Sequence, residues 1–546
     1  MKRHIYFLFI VFTTMTPSNR GHCQVIEEWH TEYIGPGLSD GPTSMVIDNF
    51  GSVYVTGSSR GINTFYDFAT VKYYTSGIQQ WTARYSGGTG QGNTFAEAYS
   101  ITVDNGGNTY VTGSAPPPGS NTQAKFTTIK YNPSGVQQWV AVYINNVVAI
   151  NVPHSITNDY NSNVYVTGGS YFDTTGADYT TIKYDSSGVQ QWVARYRNPG
   201  EDWANCVKVD NLGYVYVSGY SRGDTTYNDI ATVKYNSSGV QQWVVRYNGP
   251  GNRGDSAIAM VVDNIGNVYV TGTSWGGAST GYDYITIKYN SSGVQQWCSR
   301  YNGSGNGTDI ANSIAVDSFG NVYITGYTWS GSPNYWDFAT IKYNSAGIQQ
   351  WVMKYQNGSQ DWAYSLVLDN SGNVYVTGMT NPVLRFHFAT IKYSPDGVQQ
   401  WVVISNVTEG GETPIGVAVD SIGNVYVAGG DGHYLTIKYN QLNAITPISN
   451  RVPDKYHLYQ NYPNPFNPST KIRFDVPANV KRETSNEKLI IFDILGREVA
   501  TLVNEQLKPG SYEVEWDGSN FPSGLYFYRL TTDGSIVDTK KMILVK

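Results

Sequence analysis

The sequence predicts an all-β protein: an eight-bladed β-propeller with four strands per blade, followed by a small Ig-like β-sandwich. Three observations lead to this fold class. Four strand-like phrases recur eight times in a fixed order, the two ends of the repeated region complement each other, and a different strand pattern follows. Gly and Tyr are abundant, at 58 and 45 of 546 residues, and only 14% of residues are charged, which is typical of strands joined by tight turns.

The repeat consists of a Trp phrase (usually Gly-Val-Gln-Gln-Trp), a small-apolar phrase ending in Asp, a Val-Tyr-Val-Thr-Gly phrase and a Thr-Ile-Lys-Tyr phrase. Successive Trp residues lie 50 to 58 positions apart. Each phrase is rich in β-branched and aromatic residues and is bounded by turn residues, so each unit has four strands. Solenoid repeats run about 20 to 40 residues, so this period favours a propeller. The key residues are Trp29, Trp81, Trp139, Trp192, Trp243, Trp297, Trp351 and Trp401; Asp48, Asp104, Asp159, Asp210, Asp263, Asp317, Asp369 and Asp420; and Lys72, Lys130, Lys183, Lys234, Lys288, Lys342, Lys392 and Lys438.

The ends of the repeated region predict that the propeller is a closed ring. The region opens with a Trp phrase at Trp29 that has no Lys-Tyr strand before it. It ends at Lys438 with no Trp phrase after it. We therefore expect residues 25 to 33 to pair with the strand around Lys438, which completes the eighth blade and removes open sheet edges. The predicted propeller spans residues 25–440.

Residues 1–23 are predicted to be a signal peptide. Lys2 and Arg3 precede an apolar run, and the small residues Gly21 and Cys23 suit cleavage. No later segment is long and apolar enough for a transmembrane helix. The net charge of −6 without a basic region argues against a nucleic-acid partner. Cys206 and Cys298, which remain after cleavage, are predicted to be buried free thiols.

The connections between strands predict two unlike faces. The turns between the Asp and Tyr strands, and those before Gln-Gln-Trp, are short and nearly constant, whereas the other connections vary. Variable loops on a rigid scaffold commonly bind ligands. Five Trp residues outside the repeat phrases fall in or beside these loops, and they are candidate ligand contacts or, alternatively, plugs between blades. They are Trp203, Trp275, Trp329, Trp336 and Trp362.

An acidic residue precedes the Asp strand at one offset in six of eight units, which predicts a ring of carboxylates near the channel mouth. The main interpretation is capping of turns and strand starts. A metal site, with Ca²⁺ as the candidate cofactor, and attraction of a cationic partner are the alternatives. The residues are Asp40, Asp202, Asp255, Asp309, Asp361 and Glu412, of which Asp202, Asp255, Asp309 and Asp361 are the candidate metal ligands. The repeated Lys and Asp are further expected to form one ion pair per blade.

No catalytic constellation is visible in the sequence, so we expect a protein that is not an enzyme. Metalloprotease, nucleophile-elbow and phosphate-loop motifs are missing from the sequence. The strand expected to line the channel offers small residues: Ser44, Ser100, Ser155, Cys206, Ala259, Ser313, Ser365 and Gly416. A secreted hydrolase or lyase acting on polysaccharide remains the alternative, because propellers host such enzymes and fold does not decide function.

Beyond a linker at residues 441–454, residues 455–546 form a predicted Ig-like domain. Short strand candidates separated by turn residues support this prediction. They are Lys471 to Val476, Lys488 to Ile494, Val499 to Val503, Tyr512 to Trp516, Gly524 to Leu530, and Lys541 to Val545.

Both regions resemble known families. Val262 to Gly272, Val-Asp-Asn-Ile-Gly-Asn-Val-Tyr-Val-Thr-Gly, resembles the secreted bacterial β-propeller repeats, a resemblance that covers about residues 25 to 440 and implies the fold but no reaction. Tyr459 to Pro468, Asp493 to Val499 and Pro522 to Tyr528 resemble the C-terminal sorting domains of type IX secretion cargo.

The second resemblance implies recognition by the type IX secretion machinery and location outside the cell or on the outer-membrane surface. Together with the variable loops, it leads to the hypothesis of a secreted or cell-surface binding or structural protein. Its expected ligand is a carbohydrate or a surface protein.

Overall fold

The structure is a computed structural model of the 546-residue chain. It describes residues 24–88, 92–119, 124–144, 151–173, 176–223, 226–331, 335–382, 385–405, 411, 413–430, 432–442, 446–449, 452–478, 485–518 and 521–546. The predicted signal peptide, Glu412 and part of the predicted linker lie outside these residues. Contacts divide the chain into two compact units, Val25–Gln441 and a unit that includes Leu442–Lys546. Within the described residues the fold is all-β, and no helix long and apolar enough to cross a membrane occurs there.

The first unit is built from thirty-three described strands. In chain order they are β1 (Gln24–Tyr33), β2 (Asp40–Ile47), β3 (Val53–Ser59), β4 (Thr64–Tyr73), β5 (Gln79–Tyr85), β6 (Gly92–Phe95), β7 (Glu97–Val103), β8 (Thr109–Ala115), β9 (Lys125–Tyr131), β10 (Gln137–Tyr143), β11 (Asn151–Asn158), β12 (Val164–Asp173), β13 (Gly176–Tyr184), β14 (Gln190–Tyr196), β15 (Asp202–Val209), β16 (Val215–Arg222), β17 (Asn228–Tyr235), β18 (Gln241–Tyr247), β19 (Asp255–Val262), β20 (Val268–Gly277), β21 (Gly281–Tyr289), β22 (Gln295–Tyr301), β23 (Ile310–Val316), β24 (Val322–Gly331), β25 (Tyr335–Tyr343), β26 (Gln349–Tyr355), β27 (Trp362–Leu368), β28 (Val374–Thr380), β29 (His387–Tyr393), β30 (Gln399–Ile404), β31 (Thr413–Val419), β32 (Val425–Gly430) and β33 (Tyr434–Leu442).

These strands form a propeller-like arrangement of four-stranded antiparallel sheets. The sheets are β2-β3-β4-β5, β7-β8-β9-β10, β11-β12-β13-β14, β15-β16-β17-β18, β19-β20-β21-β22, β23-β24-β25-β26, β27-β28-β29-β30 and β31-β32-β33-β1, with β6 paired in parallel to β4. We call the first strand of each sheet (β2, β7, β11, β15, β19, β23, β27 and β31) the inner strand, because each contacts the inner strand of the next sheet. β2 also contacts β31.

The core of this unit lies between neighbouring sheets, on both faces of their second and third strands. Val53, Tyr54 and Val55 on β3, for example, are fully buried. A strand buried on both faces needs a nearly continuous apolar run, and the Val-Tyr-Val phrase supplies one. Thr56 on β3 and Thr70 on β4 satisfy their hydroxyls by bonding each other at 2.9 Å, so these polar side chains stay buried without an unmet bond.

The repeated Tyr, Lys and Trp lie side by side across the second, third and fourth strands. Tyr165 pairs with Lys183, and Lys183 pairs with Trp192. The Lys ammonium lies 5.4 Å from the centre of the Tyr165 ring. It donates onward to the Ser237 carbonyl of the next sheet at 3.5 Å.

The predicted Lys–Asp ion pair is therefore not the rule in every sheet. Lys72 reaches Asp48 at 4.0 Å, but Asp159 accepts hydrogen bonds from Asn163 and the Tyr165 hydroxyl. A short Asp side chain satisfies the donors of its own turn first, which leaves the long Lys side chain free to reach the next sheet.

Each repeat Trp joins one sheet to the next, and we call these residues the latch tryptophans. From Trp29 to Trp351, the indole Nε1 donates at 2.8 to 3.2 Å to a carbonyl in the turn between the third and fourth strands of the next sheet. The ring covers the Gly of that turn, where φ is positive and an added Cβ would come within 2.6 to 2.9 Å of a ring atom. Glycine is therefore required there for two reasons. Trp401 donates instead to the Gln441 side chain at 3.3 Å, because no turn follows β33.

The second unit consists of two four-stranded sheets around one core. Its strands are β34 (Thr446–Ser449), β35 (His457–Leu458), β36 (Ser469–Val476), β37 (Ser485–Phe492), β38 (Glu498–Leu507), β39 (Gly510–Asp517), β40 (Gly524–Thr532) and β41 (Ser535–Leu544). The sheet orders are β34-β39-β36-β35 and β38-β37-β40-β41. Phe474 and Trp516 from the first sheet and Ile491 and Tyr528 from the second share the buried cluster.

Two details of the chain differ from the sequence-based expectations. The stretch expected to be a linker contributes β34, which pairs with β39, because an extended segment beside an open sheet edge satisfies its own backbone by joining it. Both remaining cysteines are free, as expected, but only Cys206 is buried. Cys298 is exposed, because it lies on an outer strand, β22.

Replacing one latch tryptophan should destabilise the propeller unit. In Trp192→Ala the loss of the ring from Gly239 and of the Ser237 bond should lower the free energy of unfolding by about 3 to 5 kcal/mol. Trp192→Phe keeps a ring and should cost about half as much. Urea denaturation of the full-length protein measures both. Gln190→Ala, an exposed change on the same strand, serves as the control, and a stability of Trp192→Ala within about 0.5 kcal/mol of that control would contradict the latch.

Candidate functional site

The candidate site lies at the end of the inner strands where the variable loops meet. In an antiparallel sheet the first-to-second and third-to-fourth connections emerge at one end, and the remaining connections emerge at the other. The first set comprises five-residue turns such as Asp263 to Asn267, in which Asp263 binds the backbone N–H groups of Ile265 and Asn267. We call the opposite end, which carries the longer unlike loops, the variable face.

Each inner strand carries one β-bulge at the same place, near the variable face. The register with the second strand shifts across a single residue in all eight sheets, for example between Ala204 and Cys206. We call the skipped residues the bulge residues. They are Thr43, Tyr99, His154, Asn205, Ile258, Asn312, Tyr364 and Ile415. A bulge re-aims its side chain without disturbing the rest of the sheet.

The bulge residues are chemically unlike although their surroundings repeat. Four of them bond a backbone carbonyl of the next inner strand: Thr43 to Ala98, His154 to Ala204, Asn205 to Ala257 and Asn312 to Ala363, at 2.7 to 3.0 Å. The others carry aromatic or aliphatic side chains. This set was not predicted from the sequence, although the sequence contains one signal for it: three residues after the acidic position, the repeats carry side chains of different chemistry.

Five of the eight small residues expected to line the channel connect inner strands. Ser100, Ser155, Ser313 and Ser365 accept the backbone N–H of the next inner strand at 3.2 to 3.4 Å, and the Cys206 thiol donates to the Ile258 carbonyl at 3.0 Å. A bulge leaves ladder groups unpaired, and a hydroxyl beside it compensates them. Small residues are therefore needed here for the spacing of the strands.

Three of the five candidate ligand-binding tryptophans come together on the variable face. Trp336 lies between Trp329 and Trp362, with ring centres 4.8 and 5.9 Å away and edge-to-face geometry. Tyr335, which is exposed, extends the group beside Trp329 at 5.7 Å. The Trp329 ring packs over the loop at Gly305 and Gly307. This group, which we call the Trp triad, spans two neighbouring sheets and is half-buried.

The other two tryptophans lie in separate groups. Trp203 stacks on the bulge residue His154 at 5.5 Å with an interplanar angle of 22°, and Tyr171 approaches its edge. Burial lowers the pKa of His154, so the imidazole is neutral at neutral pH. Trp275 contacts Tyr282 at 5.0 Å and lies under the Arg253 guanidinium at 5.2 Å. The Trp203 and Trp275 groups thus combine aromatic rings with polar neighbours.

The buried carboxylates of the acidic ring hold the loops that precede them. Asp255 accepts the Gly249 N–H at 2.6 Å, and Asp309 accepts the Gly303 N–H at the same distance. Asp40, Asp202 and Asp361 bind the N–H groups of Gly35, Asn198 and Asn357 in the same way. In the third sheet Asn151 occupies this place.

The four candidate metal ligands belong to four different sheets, and each directs a carboxylate oxygen at a backbone N–H group. They are Asp202, Asp255, Asp309 and Asp361. In the part of the chain that the structure describes, no group of three or more His, Cys, Asp or Glu side chains is placed to hold a metal ion.

Behind these carboxylates, a second polar layer joins consecutive sheets. Arg246 on β18 donates to Asp229 at 2.8 Å, to Ser221 at 2.5 Å and to the Tyr196 hydroxyl of the preceding sheet at 2.8 Å. Arg84 and Arg300 repeat this arrangement. These arginines follow the repeat Trp by three residues, a spacing that was visible in the sequence but not singled out.

Replacing Asp202 with Asn should change how stability depends on pH. Burial raises the pKa of Asp202 to about 6, above the unfolded value of about 3.9. Between these values the folded state binds more protons, so raising the pH through this window costs stability. The stability of wild type relative to Asp202→Asn should therefore fall by about 1 to 2 kcal/mol from pH 4 to pH 6, after allowance for screening. Thermal melts across this range measure the difference, and a constant difference would contradict it.

Comparison with protein families identifies both parts of the chain. Residues 460–546 match the secretion system C-terminal sorting domain. Residues 28–63, 296–332 and 355–382 match the β-propeller repeat. Tyr459 to Pro468, the segment that carries the resemblance to sorting domains, is anchored through Asn461, which donates its backbone N–H to the Tyr528 hydroxyl at 2.8 Å and its side-chain amide to Thr470 at 2.9 Å.

Individual proteins are more distant. An uncharacterised WD repeat-containing protein of Acanthamoeba polyphaga mimivirus is 25% identical over 475 residues, which cover 63% of this chain and 33% of that protein. This chain thus spans about a third of that relative's length. A catalytically inactive virginiamycin B lyase from Staphylococcus aureus with quinupristin and Sqt1 from Chaetomium thermophilum each cover 76% of this chain and 99% of their own, at 9% identity and TM-scores of 0.39 and 0.45. The family matches show that the chain is a secreted or outer-membrane-surface protein of β-propeller repeats with a type IX secretion C-terminal sorting domain.

Proposed function

We propose that the propeller unit is a binding module that recognises a carbohydrate or a surface protein at its variable face. The observation that carries this proposal is the set of bulge residues. Eight inner strands with the same register shift present Thr, Tyr, His, Asn or Ile at one position. The repeat itself does not require this diversity, because the sheets around each bulge are alike. Recognition of an asymmetric ligand does require it.

The aromatic groups around the bulge residues support such a ligand. A sugar ring presents an apolar face that packs on an aromatic side chain, and a protein partner anchors on the same rings. Trp362 of the Trp triad and Trp203 lie near the starts of the inner strands that carry the bulge residues Tyr364 and Asn205. Polar side chains and half-exposed rings are therefore close to each other in sequence and on the same face.

A ring of eight closed blades is the scaffold that we propose for this site. β1 is hydrogen-bonded beside β33, and Lys438 on β33 pairs with Glu28 on β1 at 2.8 Å. Trp29 of β1 then latches to Thr75 of the sheet β2-β3-β4-β5. The inferred boundaries are residues 25–440 for the propeller and 455–546 for the sorting domain. The two sheets of the sorting domain, which share one core, are proposed to form an Ig-like sandwich.

An enzyme is the second candidate function, as a hydrolase or lyase acting on polysaccharide. Unlike polar groups on neighbouring strands favour it: Tyr99, His154 and Asn205 are all bulge residues, and a neutral imidazole can accept a proton. The first candidate is preferred because His154 already bonds the Ala204 carbonyl and stacks on Trp203. Release of shortened sugars from a polysaccharide, lost in His154→Gln, would favour the enzyme.

If the propeller is a closed ring, deletion of the short N-terminal strand should strongly lower its stability. Removing residues 25–33 takes away β1, exposes the edge of β33 and breaks the Trp29 latch. The melting temperature of the full-length protein should fall by at least about 10 °C, as expected for a loss of several kcal/mol. Differential scanning calorimetry measures this. The closed ring would be wrong if the shortened protein melted like the wild type.

Substitutions that copy residues from other sheets separate binding from stability. Tyr364→Ile places there the residue that Ile258 and Ile415 provide elsewhere, so the fold should tolerate it. A glycan array and a screen of surface proteins with the full-length protein identify the ligand. Tyr364→Ile and Trp362→Ala should then weaken binding by about 5- to 150-fold each. Trp192→Ala, at a latch, is the matched control that should lower stability and leave affinity unchanged. The binding proposal fails if Tyr364→Ile and Trp362→Ala leave affinity unchanged.

A further inference from the structure

Two neighbouring sheets carry nearly identical aromatic pairs on the variable face. In the sheet β19-β20-β21-β22, Trp275 on β20 pairs with Tyr282 on β21, and their ring centres are 5.0 Å apart. In the sheet β23-β24-β25-β26, Trp329 pairs with Trp336 in the same register, with ring centres 4.8 Å apart. The interplanar angles are 71° and 67°. We call these two pairs the twin sites.

One loop conformation supports both twin sites. Residues 248–254 form the loop before β19, and residues 302–308 form the loop before β23. In each loop the fourth residue, a glycine, donates its backbone N–H to the carbonyl of the Trp, at 3.3 and 3.1 Å. The second residue donates to the buried Asp that follows the loop, at 2.6 Å in both. The fifth residue is an exposed Asn with a φ of 51° in both. The loops thus keep the same shape although their sequences differ.

Glycines line the surface between the twin sites. The Tyr282 carbonyl accepts the Asp309 N–H at 2.6 Å, so the hairpin of one sheet lies against the loop of the next. A Cβ added at Gly281 would come within 2.8 Å of the Gly307 carbonyl oxygen, and a Cβ added at Gly307 would come within 2.3 Å of the Trp329 ring. Side chains are therefore excluded at these two positions, and the path from one aromatic pair to the other stays open.

The propeller repeat does not require the tryptophans of the twin sites. Trp275 and Trp329 each stand three residues after the Gly of the Val-Tyr-Val-Thr-Gly phrase. The other six sheets have Arg60, Pro116, Tyr171, Arg222, Asn381 and Gly432 at this position. The presence of Trp in two adjacent sheets only, with the same geometry in both, indicates a ligand that contacts the two sites together.

The exposed charges at the twin sites are positive. The Arg253 guanidinium lies 5.2 Å from the centre of the Trp275 ring. Lys354 on β26 directs its ammonium at the hydroxyls of Ser304 and Ser330, at 3.3 Å each. Within the residues that the structure describes, neither cation forms an ion pair, and the two loops contain no Asp or Glu. Both cations are therefore available to an anionic group of a ligand.

We propose that the twin sites bind consecutive parts of one extended acidic polysaccharide. Its sugar rings pack on the exposed parts of the aromatic pairs, and its carboxylate or sulfate groups meet Arg253 and Lys354. This inference rests on the proposed function and specifies its ligand class. Two equal sites side by side fit a ligand with a repeating unit, which a polysaccharide has and the surface of a folded protein lacks.

The polar groups of the loops suit the oxygens of such a ligand. Asn252 and Asn306 each accept a hydrogen bond through Oδ1 from the first Asn of their own loop, at 2.7 Å. Their Nδ2 groups are left to donate, and hydroxyl and carboxylate oxygens both accept. Residues 248–254, 276–282 and 302–308 contain no Leu, Ile, Val, Met or Phe, so they offer no aliphatic anchor to a protein partner.

Isothermal titration calorimetry of the full-length protein with a panel of polymers tests this proposal. The acidic polymers are polygalacturonate, alginate, hyaluronate and chondroitin sulfate, which separate carboxylate from sulfate. Methyl-esterified polygalacturonate has the same sugar rings without the charge. An acidic polymer should bind at least about 10-fold more tightly than this neutral one. Long oligosaccharides of that acidic polymer should bind at least about 10-fold more tightly than short ones, because only long ones reach both sites.

Two substitutions test the cations without disturbing the fold. Arg253→Gly introduces the residue that Gly307 provides in the other loop, and Lys354→Gln keeps a donor for the two Ser hydroxyls. Each should weaken binding of the acidic polymer about 10-fold and leave the melting temperature unchanged. Arg253→Gly should also reduce the advantage of long over short oligosaccharides. Lys208→Gln is the matched control, because it removes an exposed charge at the opposite end of an inner strand and should leave affinity unchanged.

Four results would overturn the proposal. They are failure of every acidic polymer to bind, binding that Arg253→Gly and Lys354→Gln leave unchanged, equal affinity for long and short oligosaccharides, and equally tight binding of poly-L-glutamate, which carries charge without sugar rings. A neutral glycan or a protein whose binding is lost in Tyr364→Ile but kept in the twin-site variants would also overturn it. That last result would leave the proposed function intact, so the two proposals fail separately.

Discussion

The structure depends on the contact by which each latch tryptophan joins its sheet to the next. A four-stranded sheet cannot bury both of its faces alone, so its stability comes from its neighbours. The indole covers a glycine and donates to a carbonyl of the following turn, and the Lys beside it reaches the same region. One Trp therefore provides apolar burial, a hydrogen bond and the spacing between sheets. The third-to-fourth strand turn of the next sheet has to supply a free backbone carbonyl and a glycine. The sequence of this turn is therefore as constant as the Trp itself.

Because the contacts between neighbouring sheets repeat, side chains at other positions can vary from sheet to sheet. The inner strands are connected by Ser hydroxyls and by side chains that bond the next strand, so a bulge at one position does not loosen the assembly. The bulge position is occupied by Thr, Tyr, His, Asn and Ile in five consecutive sheets, so the frame accommodates different side chains there. The capping carboxylates act similarly for the loops: Asp255 and Asp309 hold loops of different sequence by the same backbone bond. A rigid frame with separately replaceable side chains is suited to recognition.

The two faces of the propeller unit differ in the side chains that they expose. On the variable face, half-buried aromatic rings lie beside polar groups, and on the opposite face uniform turns raise exposed apolar tips. Both faces use the same device, an Asp that accepts backbone N–H groups, but with different consequences. Where the loops are long, the Asp is buried beneath them. Where the turns are short, the Asp forms the turn, and the side chain above it points into solvent.

The sequence by itself determined the all-β, propeller-like fold class, because strand phrases of fixed length and order leave few arrangements in which every sheet is covered. It also indicated the sorting domain through the segment from Tyr459 to Pro468. Only the tertiary structure decided the contacts between repeats. Lys183, expected to pair with Asp, reaches the next sheet instead, and the carboxylates of the acidic ring bind their own loops, which was one of the interpretations that the sequence left open. The register shift at the bulge residues depends on how strands pair within a sheet, and the contacts of Trp336 with Trp329 and Trp362 depend on how neighbouring sheets pack, so neither was predicted from the sequence. Repetition in the sequence reveals what all repeats share, whereas the contacts made where the repeats differ depend on how the strands and sheets pack.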